Sequence, residues 1–432
     1  DREYRELVEI LVHRNFYCPA RAEAVANMNR IVADFYEKLA AFVLNLLNRE
    51  QPGVLGISLF NGTLAPSLFA FKLAKERFPG IINVMGGGIF ADDLAPDSVD
   101  FELFLEKTPY IDRVVVGEGE HLFLEILREG IPRQQKVCTR ADIDGKMLDL
   151  DSAPLPDFTD FKLRYYPNMT LYTSRSCPFS CSFCSEKVIW GRYRKKKANQ
   201  VVKELSQLYE EYGYRLFLIG DSLLNPIISD LASEMTRQGV SLYWDGYLRA
   251  DEPVGDPANT LRWREGGFYR ARLGVESGSA RVLQLMGKKI TPSQIKQAIS
   301  SLAYAGIKTT AYWVIGHPGE TEEDFRQTLE IIEELKDDIY EADCNPFNFY
   351  VKGQVNSDRW REANPYVSLY PGRAGDRLFP RTYVLETEPM REETYRRLIR
   401  FTAHCSRLGI PNPYSLYDIH KADQRWQQLQ KN

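Results

Sequence analysis

The 432-residue sequence lacks the marks of several protein classes. It has five histidines and seven cysteines, and their spacings form neither a disulfide framework nor paired zinc-ligand motifs. No apolar run approaches the ~18 residues of a membrane span, and no signal peptide is visible. The net charge is -4 with both signs interspersed, which gives no sign of a polyanion-binding surface. We therefore expect a globular protein in a reducing, cytoplasmic compartment, with no nucleic-acid and no membrane partner. Because the chain begins at Asp1 rather than with methionine, the missing signal peptide carries little weight.

Three of the cysteines lie close together, in the stretch RSCPFSCSFCSEKVI at residues 175–189. Cys177, Cys181 and Cys184 have the spacing C-x3-C-x2-C. Thiolates are the usual ligands of iron-sulfur clusters, and three of them can wrap one face of a single cluster. A four-iron cluster held by three cysteines keeps one iron open to a small molecule. A zinc knuckle is the competing interpretation, but a structural zinc site needs four ligands. The other cysteines are isolated: Cys18, Cys138, Cys344 and Cys405.

This motif resembles the signature of the radical S-adenosylmethionine superfamily, in which the position of Phe183 is commonly aromatic. The resemblance implies a [4Fe-4S] cluster on the three cysteines, whose open iron chelates the amino and carboxylate groups of S-adenosylmethionine. An electron from the cluster then cleaves the sulfonium to a 5'-deoxyadenosyl radical. The implied partners are a small-molecule substrate and an electron donor such as flavodoxin or ferredoxin. A non-catalytic cluster-binding module is the least favoured alternative.

The front part, residues 1–150, reads as a helical lead-in followed by an α/β domain. Strand patterns at 54–60, 81–85 and 114–116 end in short polar or glycine-rich turns. Repeated strand, turn and helix predict a parallel, doubly wound, Rossmann-like sheet. The ligand crevice of such a sheet lies outside the carboxyl ends of its strands.

The strand ends of this domain resemble the cobalamin-binding domain found before one radical subgroup. Ser58, Gly86 and Gly87 occupy positions of the S-x-L and GG elements of that domain, although Phe60 replaces the leucine, and Gly117 and Glu118 follow the third strand. The motif D-x-H-x-x-G, whose histidine coordinates cobalt, is absent. Two interpretations stay open: cobalamin bound without a protein ligand, which we favour, and a retained scaffold whose crevice is empty or repurposed.

The rest of the chain predicts a second α/β domain and a tail. Residues 129–165 read as a linker. Six strand-helix units in residues 151–355 predict a partial (β/α)6 TIM barrel, whose catalytic groups sit at the carboxyl ends of the strands. Its strands are expected at 171–173, 214–219, 242–244, 272–275, 307–315 and 345–351. Residues 356–432 predict an α-rich extension that covers the barrel.

The resemblance assigns the polar strand ends of the barrel to parts of S-adenosylmethionine, although a helix cap or a turn would explain each residue alone. The family's GGE element is replaced here by GDS. The implied contacts are Asp221 and Ser222 with the amino group, Arg249 with the carboxylate, Glu276 and Ser277 with the ribose, and the backbone of Trp313, Val314 and Gly316 with adenine. Candidates for substrate contact are Cys344, Tyr350, His404 and Cys405.

The sequence thus predicts a radical S-adenosylmethionine enzyme, and the resemblance favours a cobalamin-dependent methyltransferase. It would act on an unactivated carbon or phosphorus of a small-molecule or natural-product substrate. The alternative is cobalamin-independent transfer of the 3-amino-3-carboxypropyl group, for example to a metalloid, or a radical rearrangement. An RNA methylthiotransferase is disfavoured, because the front domain holds only Cys18 and Cys138 for a second cluster and the tail is not strongly basic.

Overall fold

The computed structural model forms two compact units. It describes residues 8, 12, 21–91, 94–96, 98–349, 358–369, 383–413 and 416–430. Unit 1 comprises Asp1–Leu148, Phe349–Arg361 and Tyr366–Val384, and unit 2 comprises Asp149–Asn348, Glu362–Pro365 and Leu385–Asn432. The domain limits at 150 and 355 that the sequence indicates stay a prediction.

Unit 1 is built on a four-stranded parallel sheet with the sequential order β1-β2-β3-β4. The predicted parallel α/β arrangement is confirmed, and two-residue β4 lies within the stretch that was expected to be a linker. The elements are α1 (Ala22–Glu50), β1 (Val54–Ser58), α2 (Leu64–Arg77), β2 (Ile82–Gly86), α3 (Val99–Lys107), β3 (Arg113–Val115), α4 (Gly119–Leu127) and β4 (Val137–Cys138). Three short elements follow later in the chain: α12 (Asp358–Ala363), β13 (Tyr366–Ser368) and β14 (Tyr383–Leu385).

Helices cover both faces of the unit 1 sheet, because successive side chains of a strand point to opposite faces. Met85 and Val114 pack with Phe71 of α2 on one face. Val84 and Val115 pack with α4 on the other. The carboxyl ends of the strands are left uncovered by these two layers.

Unit 2 is built on a six-stranded parallel sheet with the order β12-β11-β10-β9-β8-β5. Its two edge strands, β5 and β12, do not pair with each other within the described residues, which gives the open, partial barrel that the sequence predicts. The strands of this sheet are β5 (Met169–Leu171), β8 (Leu216–Ile219), β9 (Tyr243–Arg249), β10 (Phe268–Glu276), β11 (Lys308–Ile315) and β12 (Glu341–Pro346). A two-stranded ribbon consists of β6 (Ser174–Arg175) and β7 (Arg194–Lys195). The helices are α5 (Glu186–Trp190), α6 (Ala198–Tyr212), α7 (Ile228–Gln238), α8 (Pro257–Glu265), α9 (Ala280–Leu285), α10 (Pro292–Tyr304), α11 (Glu322–Glu334), α13 (Arg391–Arg407) and α14 (Leu416–Leu429).

The last strand of this sheet differs from the sequence expectation. The sequence predicts this strand at 345–351, whereas β12 spans Glu341–Pro346, and residues 350 and 351 lie outside the described part of the chain. Glu341 and Asp343 alternate with Ala342 and Cys344, so one side of the strand is polar. Alternation of this kind is usually read as a solvent-facing edge, yet Glu341 is fully buried.

The two faces of the unit 2 sheet differ sharply. One face is apolar and packs against the helices, with Trp244, Leu273 and Trp313 in a single large core. The other, which we call the inner face, carries seven mostly polar side chains. They are Asp245, Tyr247, Arg270, Arg272, Thr310, Tyr312 and Glu341, in lateral register across β9 to β12.

Helix α13 packs against the carboxyl end of β11. Nη1 of Arg397 lies 2.9 Å from Oε2 of Glu320, and both side chains are buried. A Cβ atom on Gly316, whose φ is +82°, would collide with Thr394 of the same helix. Within the described residues no helix is long and apolar enough to cross a membrane.

Candidate active site

The three cysteines of the motif lie on a loop whose base is closed by the β6–β7 ribbon. Ser174 pairs with Lys195 and Arg175 with Arg194 across this ribbon. Ser176 has a left-handed φ of +71°, and its hydroxyl donates a 2.7 Å hydrogen bond to the carbonyl of Gly191. We call residues 176–191 the cysteine loop. The strand pairing and the Ser176–Gly191 hydrogen bond, which close its base, involve no cysteine side chain.

The thiols of the cysteine loop are sheltered from solvent. Cys181 is buried, and Cys177 and Cys184 are half-buried. Burial raises the pKa of Cys177, and it raises the pKa of Cys184 to about 11. Thiolates at these positions therefore need positive charge beside them. Backbone hydrogen bonds from Phe179 to Cys177 and from Glu186 to Cys184 supply part of that stabilisation.

The donor set fits an iron-sulfur cluster better than a single ion. In the part of the chain that the structure describes, no three His, Cys, Asp or Glu side chains gather closely enough to hold one metal ion. A cluster offers a separate iron atom to each thiolate, so its ligands need not converge on one point. Three sheltered thiols on one loop, at motif spacing, meet that requirement.

Arg249, at the carboxyl end of β9, lies directly beside the cysteine loop. Its Nη1 is 3.7 Å from Sγ of Cys181, and its guanidinium lies 4.1 Å from the ring centre of Phe179. The residue is 4% exposed, and its Nε has no hydrogen-bond partner within the described residues. A buried guanidinium with an unused donor is expected to bind an anion. This placement suits the predicted contact with a carboxylate.

Asp221 does not have the open position that its predicted role requires. It is 1% exposed, and its carboxylate accepts hydrogen bonds from the backbone and hydroxyl groups of Thr173 and Ser174. Burial raises the pKa of Asp221. The carboxylate therefore ties β8 to the start of β6, and it is occupied within the chain. Ser222 is exposed and donates a hydrogen bond to Glu186.

Glu276 and Ser277 end strand β10 in an unusual conformation. Glu276 has a φ of +67°, after a register shift between Gly274 and Glu276. Oε1 of Glu276 accepts a 2.6 Å hydrogen bond from Lys288. The hydroxyl of Ser277 accepts from the backbone of Ser279 at 3.1 Å. A left-handed non-glycine residue at a strand end is typical of functional sites.

The predicted adenine contacts on β11 are divided between the two faces of the sheet. The Trp313 side chain is fully buried, with its ring centre 6.1 Å from that of Phe401 on α13. Val314 points to the opposite, inner face and is half-buried. The backbone N–H of Gly316 donates to Glu320 at 2.9 Å. The predicted contact is through the backbone of these residues, which side-chain directions do not test, and the Gly316 N–H is already hydrogen-bonded within the chain.

The inner face carries buried ion pairs that sequence reasoning missed. Arg272 lies 2.9 Å from Oδ2 of Asp245, and Arg270 lies 2.6 Å from Oε2 of Glu341. Burial raises the pKa of both carboxylic acids. Oδ1 of Asp245 and Oε1 of Glu341 have no hydrogen-bond partner within the described residues. Only the register of neighbouring strands brings these charges together, so no single stretch of sequence signals them.

The basic run at 192–197 has a structural use. Lys196 is buried and lies 2.6 Å from Glu204, and Nζ of Lys195 donates to the carbonyl of Pro226 at 2.6 Å. Lys197 lies 3.5 Å from Asp151. These three lysines fasten the base of the cysteine loop to the surrounding elements.

In unit 1 the predicted cofactor residues lie at one edge of the sheet. Ser58 pairs with Gly86 at the ends of β1 and β2. Gly87 has a φ of +112°, and a Cβ atom there would collide with the backbone of Leu59. Gly117 has a φ of +91°, and a Cβ atom there would meet nothing within 4 Å.

Two further residues complete this edge. Phe60 is 67% exposed, and Glu118 accepts a hydrogen bond from the Leu148 N–H at 3.4 Å. An exposed aromatic ring beside bare backbone fits a flat, largely apolar group. The residues present therefore fit a corrin, although no histidine of a cobalt-ligating motif is there.

Of the candidates for substrate contact, Cys344 and Cys405 are buried against the helix layer. His404 is nearly buried on α13, and its Nε2 has no hydrogen-bond partner within the described part of the chain. None of these three side chains is on the inner face. Tyr350 lies outside the described residues.

Comparison with known proteins finds a family model and relatives that match parts of this chain. Residues 171–332 match the model of the Radical SAM superfamily. An uncharacterised methyltransferase of Pyrococcus horikoshii is 28% identical over 68% of this chain and 66% of its own length. The anaerobic magnesium-protoporphyrin IX monomethyl ester cyclase of Rubrivivax gelatinosus is 25% identical over 67% of this chain and 55% of its own length. The chain thus spans between half and two thirds of these relatives.

The fold has a solved counterpart. The radical S-adenosylmethionine methyltransferase TsrM from Kitasatospora setae, solved with cobalamin and a [4Fe-4S] cluster bound, superposes with a TM-score of 0.65 at 14% identity. The match covers 99% of this chain and 96% of that one. The comparisons thus show a Radical SAM domain in residues 171–332 and a fold similar to that of TsrM.

Proposed function

We propose that the protein is a cobalamin-dependent radical S-adenosylmethionine methyltransferase that acts on an unactivated carbon or phosphorus of a small molecule. One observation carries the proposal: a single chain combines a sheltered three-cysteine loop with an open, glycine-lined strand edge. The P. horikoshii relative is named a methyltransferase, and the TsrM structure holds cobalamin. Both support the proposal.

The cluster would be held by Cys177, Cys181 and Cys184. When bound, the cluster supplies the electron that cleaves S-adenosylmethionine, and a corrin supplies the methyl group. The chain's own residues bind and orient these groups and exclude water from them. A donor such as flavodoxin or ferredoxin would deliver the electron.

S-adenosylmethionine would be oriented by strand ends of unit 2. Arg249 is buried beside Cys181 with a donor to spare, so it would bind the methionine carboxylate. Glu276 and Ser277 would hydrogen-bond the ribose. Asp221 would act indirectly by holding Thr173 and Ser174, and the amino group would then meet backbone or Ser222 rather than the Asp221 carboxylate.

Cobalamin would bind at the strand edge of unit 1. Ser58, Gly86, Gly87 and Gly117 would present backbone and a hydroxyl to it, and Glu118 would flank it. Because the cobalt-ligating histidine motif is absent, the corrin would be bound without a protein ligand to cobalt.

The substrate would bind on the inner face of unit 2. This face holds two arginines paired with two carboxylates, so its charges are largely balanced. Asp245 and Glu341 are fully buried, so the exposed part of this face that a substrate would meet includes Tyr247.

A second candidate is radical chemistry without cobalamin, such as a rearrangement or transfer of the 3-amino-3-carboxypropyl group. The missing histidine motif favours it, and the R. gelatinosus relative is a cyclase rather than a methyltransferase. The two candidates share the cysteine loop and differ in whether unit 1 holds a corrin.

The test is corrin analysis of the chain purified anaerobically from cells grown with cobalamin, after reconstitution of the cluster. Stoichiometric corrin beside the cluster absorbance supports the methyltransferase. Cluster absorbance without corrin contradicts it. The products of S-adenosylmethionine then separate the remaining options, because 5'-deoxyadenosine indicates a rearrangement and methylthioadenosine indicates transfer of the aminocarboxypropyl group.

A further inference from the structure

Two tyrosines on the inner face of unit 2 form a small aromatic surface. Tyr247 of β9 and Tyr312 of β11 lie on either side of β10, with their ring centres 6.0 Å apart and their ring planes tilted by 40°. Ring centres about 4.5–7 Å apart are typical of interacting aromatic pairs. Tyr247 is 37% exposed and Tyr312 is half-buried. We call these two residues the tyrosine pair.

Arg272, on the strand between the two tyrosines, contacts both of them. Its guanidinium lies 5.7 Å from the ring centre of Tyr247, and its Nη1 is 3.5 Å from the hydroxyl oxygen of Tyr312. Its Nε donates to Oδ2 of Asp245 at 3.0 Å, and its Nη2 is 2.9 Å from the same oxygen. Because the buried carboxylate balances the guanidinium, Arg272 positions the tyrosines without making a site for an anion.

The strands on the other side of Tyr247 add apolar and aromatic groups to the inner face. Leu218 of β8 is half-buried and in register with Asp245. Leu171 belongs to the core under the helices, so the next residue, Tyr172, points to the inner side. Tyr172 is 60% exposed. A Cβ atom on Gly220 would be 2.8 Å from its ring, so this ring lies against bare backbone.

The carboxylates of the inner face offer little to a ligand rich in hydroxyl groups. Asp245 and Glu341 are fully buried and paired with arginines. Asp343, in register with Tyr312, is half-buried and accepts a hydrogen bond from Asn345 at 3.3 Å. The tyrosine pair therefore presents mainly ring surface, with two phenolic hydroxyls. Small-molecule sites commonly combine such apolar and aromatic surface with a few polar groups.

The tyrosine pair lies close to the place where the cluster would be held. Tyr247 precedes Arg249 by two residues, so the two side chains point to the same face about 7 Å apart along β9. Gly274 of β10 is in register with both Arg249 and Tyr312, which puts Tyr312 at the level of Arg249. Arg249 itself contacts Cys181. A ring on the tyrosine pair would thus lie near the reacting groups.

We propose that the tyrosine pair selects a planar aromatic substrate, whose ring stacks on Tyr247 and Tyr312. The inference rests on the proposed function, because it specifies the substrate class of the same site. A flat ring brings its whole face against the tyrosines, whereas a puckered saturated ring touches them at fewer points. A polyol would find too few hydrogen-bond partners on this surface.

The experiment compares three neutral probes as ligands of the cluster-loaded chain. They are 2-naphthol, its saturated counterpart decahydro-2-naphthol, and methyl β-D-glucopyranoside. Titration followed by ligand-observed NMR gives the affinity for each probe. The wild-type chain should bind 2-naphthol about tenfold more tightly than decahydro-2-naphthol, and the glucoside most weakly. Both naphthol probes carry one hydroxyl on the same carbon skeleton, so the comparison isolates the flat ring.

Substitutions at the tyrosine pair locate the binding. Tyr247→Leu removes the exposed ring and should abolish the preference for 2-naphthol, whereas Tyr247→Phe keeps the ring and should preserve it. Tyr312→Leu should reduce the preference as well, and it gives an answer even where Tyr247→Leu does not fold. Tyr304→Leu is the matched control, because Tyr304 ends the outer helix α10 and is 72% exposed. This change should leave the preference intact.

Three results would overturn the inference. The first is a wild-type chain that binds the two naphthol probes equally or the glucoside best. The second is a preference that survives both leucine substitutions at the tyrosine pair and is lost in Phe60→Leu, which would assign it to unit 1. The third is an equal loss in Tyr304→Leu. Corrin content and methylated product enter none of these results, so the proposed methyltransferase and the aromatic preference can fail separately.

Discussion

The two parallel sheets carry different chemical groups at the carboxyl ends of their strands. In unit 1 the strand edge consists of Ser58, glycines and an exposed Phe60. In unit 2 the strand ends carry buried Arg249 and Glu276, and charged pairs continue down the inner face. One sheet presents mainly backbone and the other presents charge.

The difference indicates that the buried charges of unit 2 are not needed for the stability of the fold. A buried ion pair is often no more stabilising than apolar residues of the same size, so a core of Leu and Val would serve the unit 2 fold as well. Glycines at strand ends in unit 1 have no such desolvation cost. We infer that unit 2 orients polar groups of its ligands, whereas unit 1 supports a large ligand by shape.

The largest effect is expected at the cysteine loop. Cys184→Ala removes one of three cluster ligands, so iron and sulfide content should fall sharply and formation of 5'-deoxyadenosine should drop to background. Cys138→Ala, which removes a buried thiol from unit 1, should change neither. A Cys184→Ala chain that keeps a full cluster would contradict the ligand assignment.

A smaller effect is expected at Arg249. Arg249→Met removes the buried guanidinium, and hydrogen bonds to a charged group contribute about 1.5–3 kcal/mol. The affinity for S-adenosylmethionine should therefore fall by about 10- to 100-fold, as measured by titration of the cluster-loaded chain. Arg262→Met, on the outside of α8, is the control. An unchanged affinity in Arg249→Met would mean that the carboxylate binds elsewhere.

For unit 1, Gly117→Leu tests whether the open edge holds a corrin. The substitution adds a side chain where a Cβ atom would now meet open space, so bound corrin should fall several-fold while the cluster is retained. Gly145→Leu is matched, because Gly145 also has a left-handed φ, +70°, with nothing within 4 Å. Equal corrin loss in both variants would point to backbone strain rather than to the site.

The smallest effect concerns His317, a buried residue of unit 2 at the end of β11. Burial lowers the pKa of His317 to about 4, against about 6.5 in an unfolded chain. Between these values the unfolded chain binds a proton that the folded chain does not, so stability falls as the pH is lowered. From pH 7.5 to 5.5 this histidine should account for about 1 kcal/mol of lost unfolding free energy.

Urea unfolding of wild type and His317→Gln at the two pH values measures this contribution. The wild type should lose about 1 kcal/mol more than the variant does. The same loss in both proteins would show that His317 is not held in its neutral form.

The sequence was sufficient for most of the fold, because apolar strands alternating with amphipathic helices dominate both sheets. It failed where polar residues form the interior. The predicted strand at 345–351 misses Glu341 at the start of β12, which is buried and paired with Arg270. Two-residue β4 has too few residues for any periodicity to show.

For the candidate site, motif spacing located the cysteines and family order located Arg249. Neither signal revealed that the Asp221 carboxylate accepts hydrogen bonds from Thr173 and Ser174, because these partners are far away in sequence.

The contacts that close the base of the cysteine loop bear on the order of folding and cluster insertion. The β6–β7 ribbon, the Ser176–Gly191 hydrogen bond and the Asp221 contacts are made between protein groups and include none of the three motif cysteines. We expect the chain to fold before the cluster is inserted. Cluster insertion would then carry no further entropic cost of closing the loop. Loss of the cluster to oxygen would then leave the cysteine loop folded. Repair would require new iron and sulfide but no refolding.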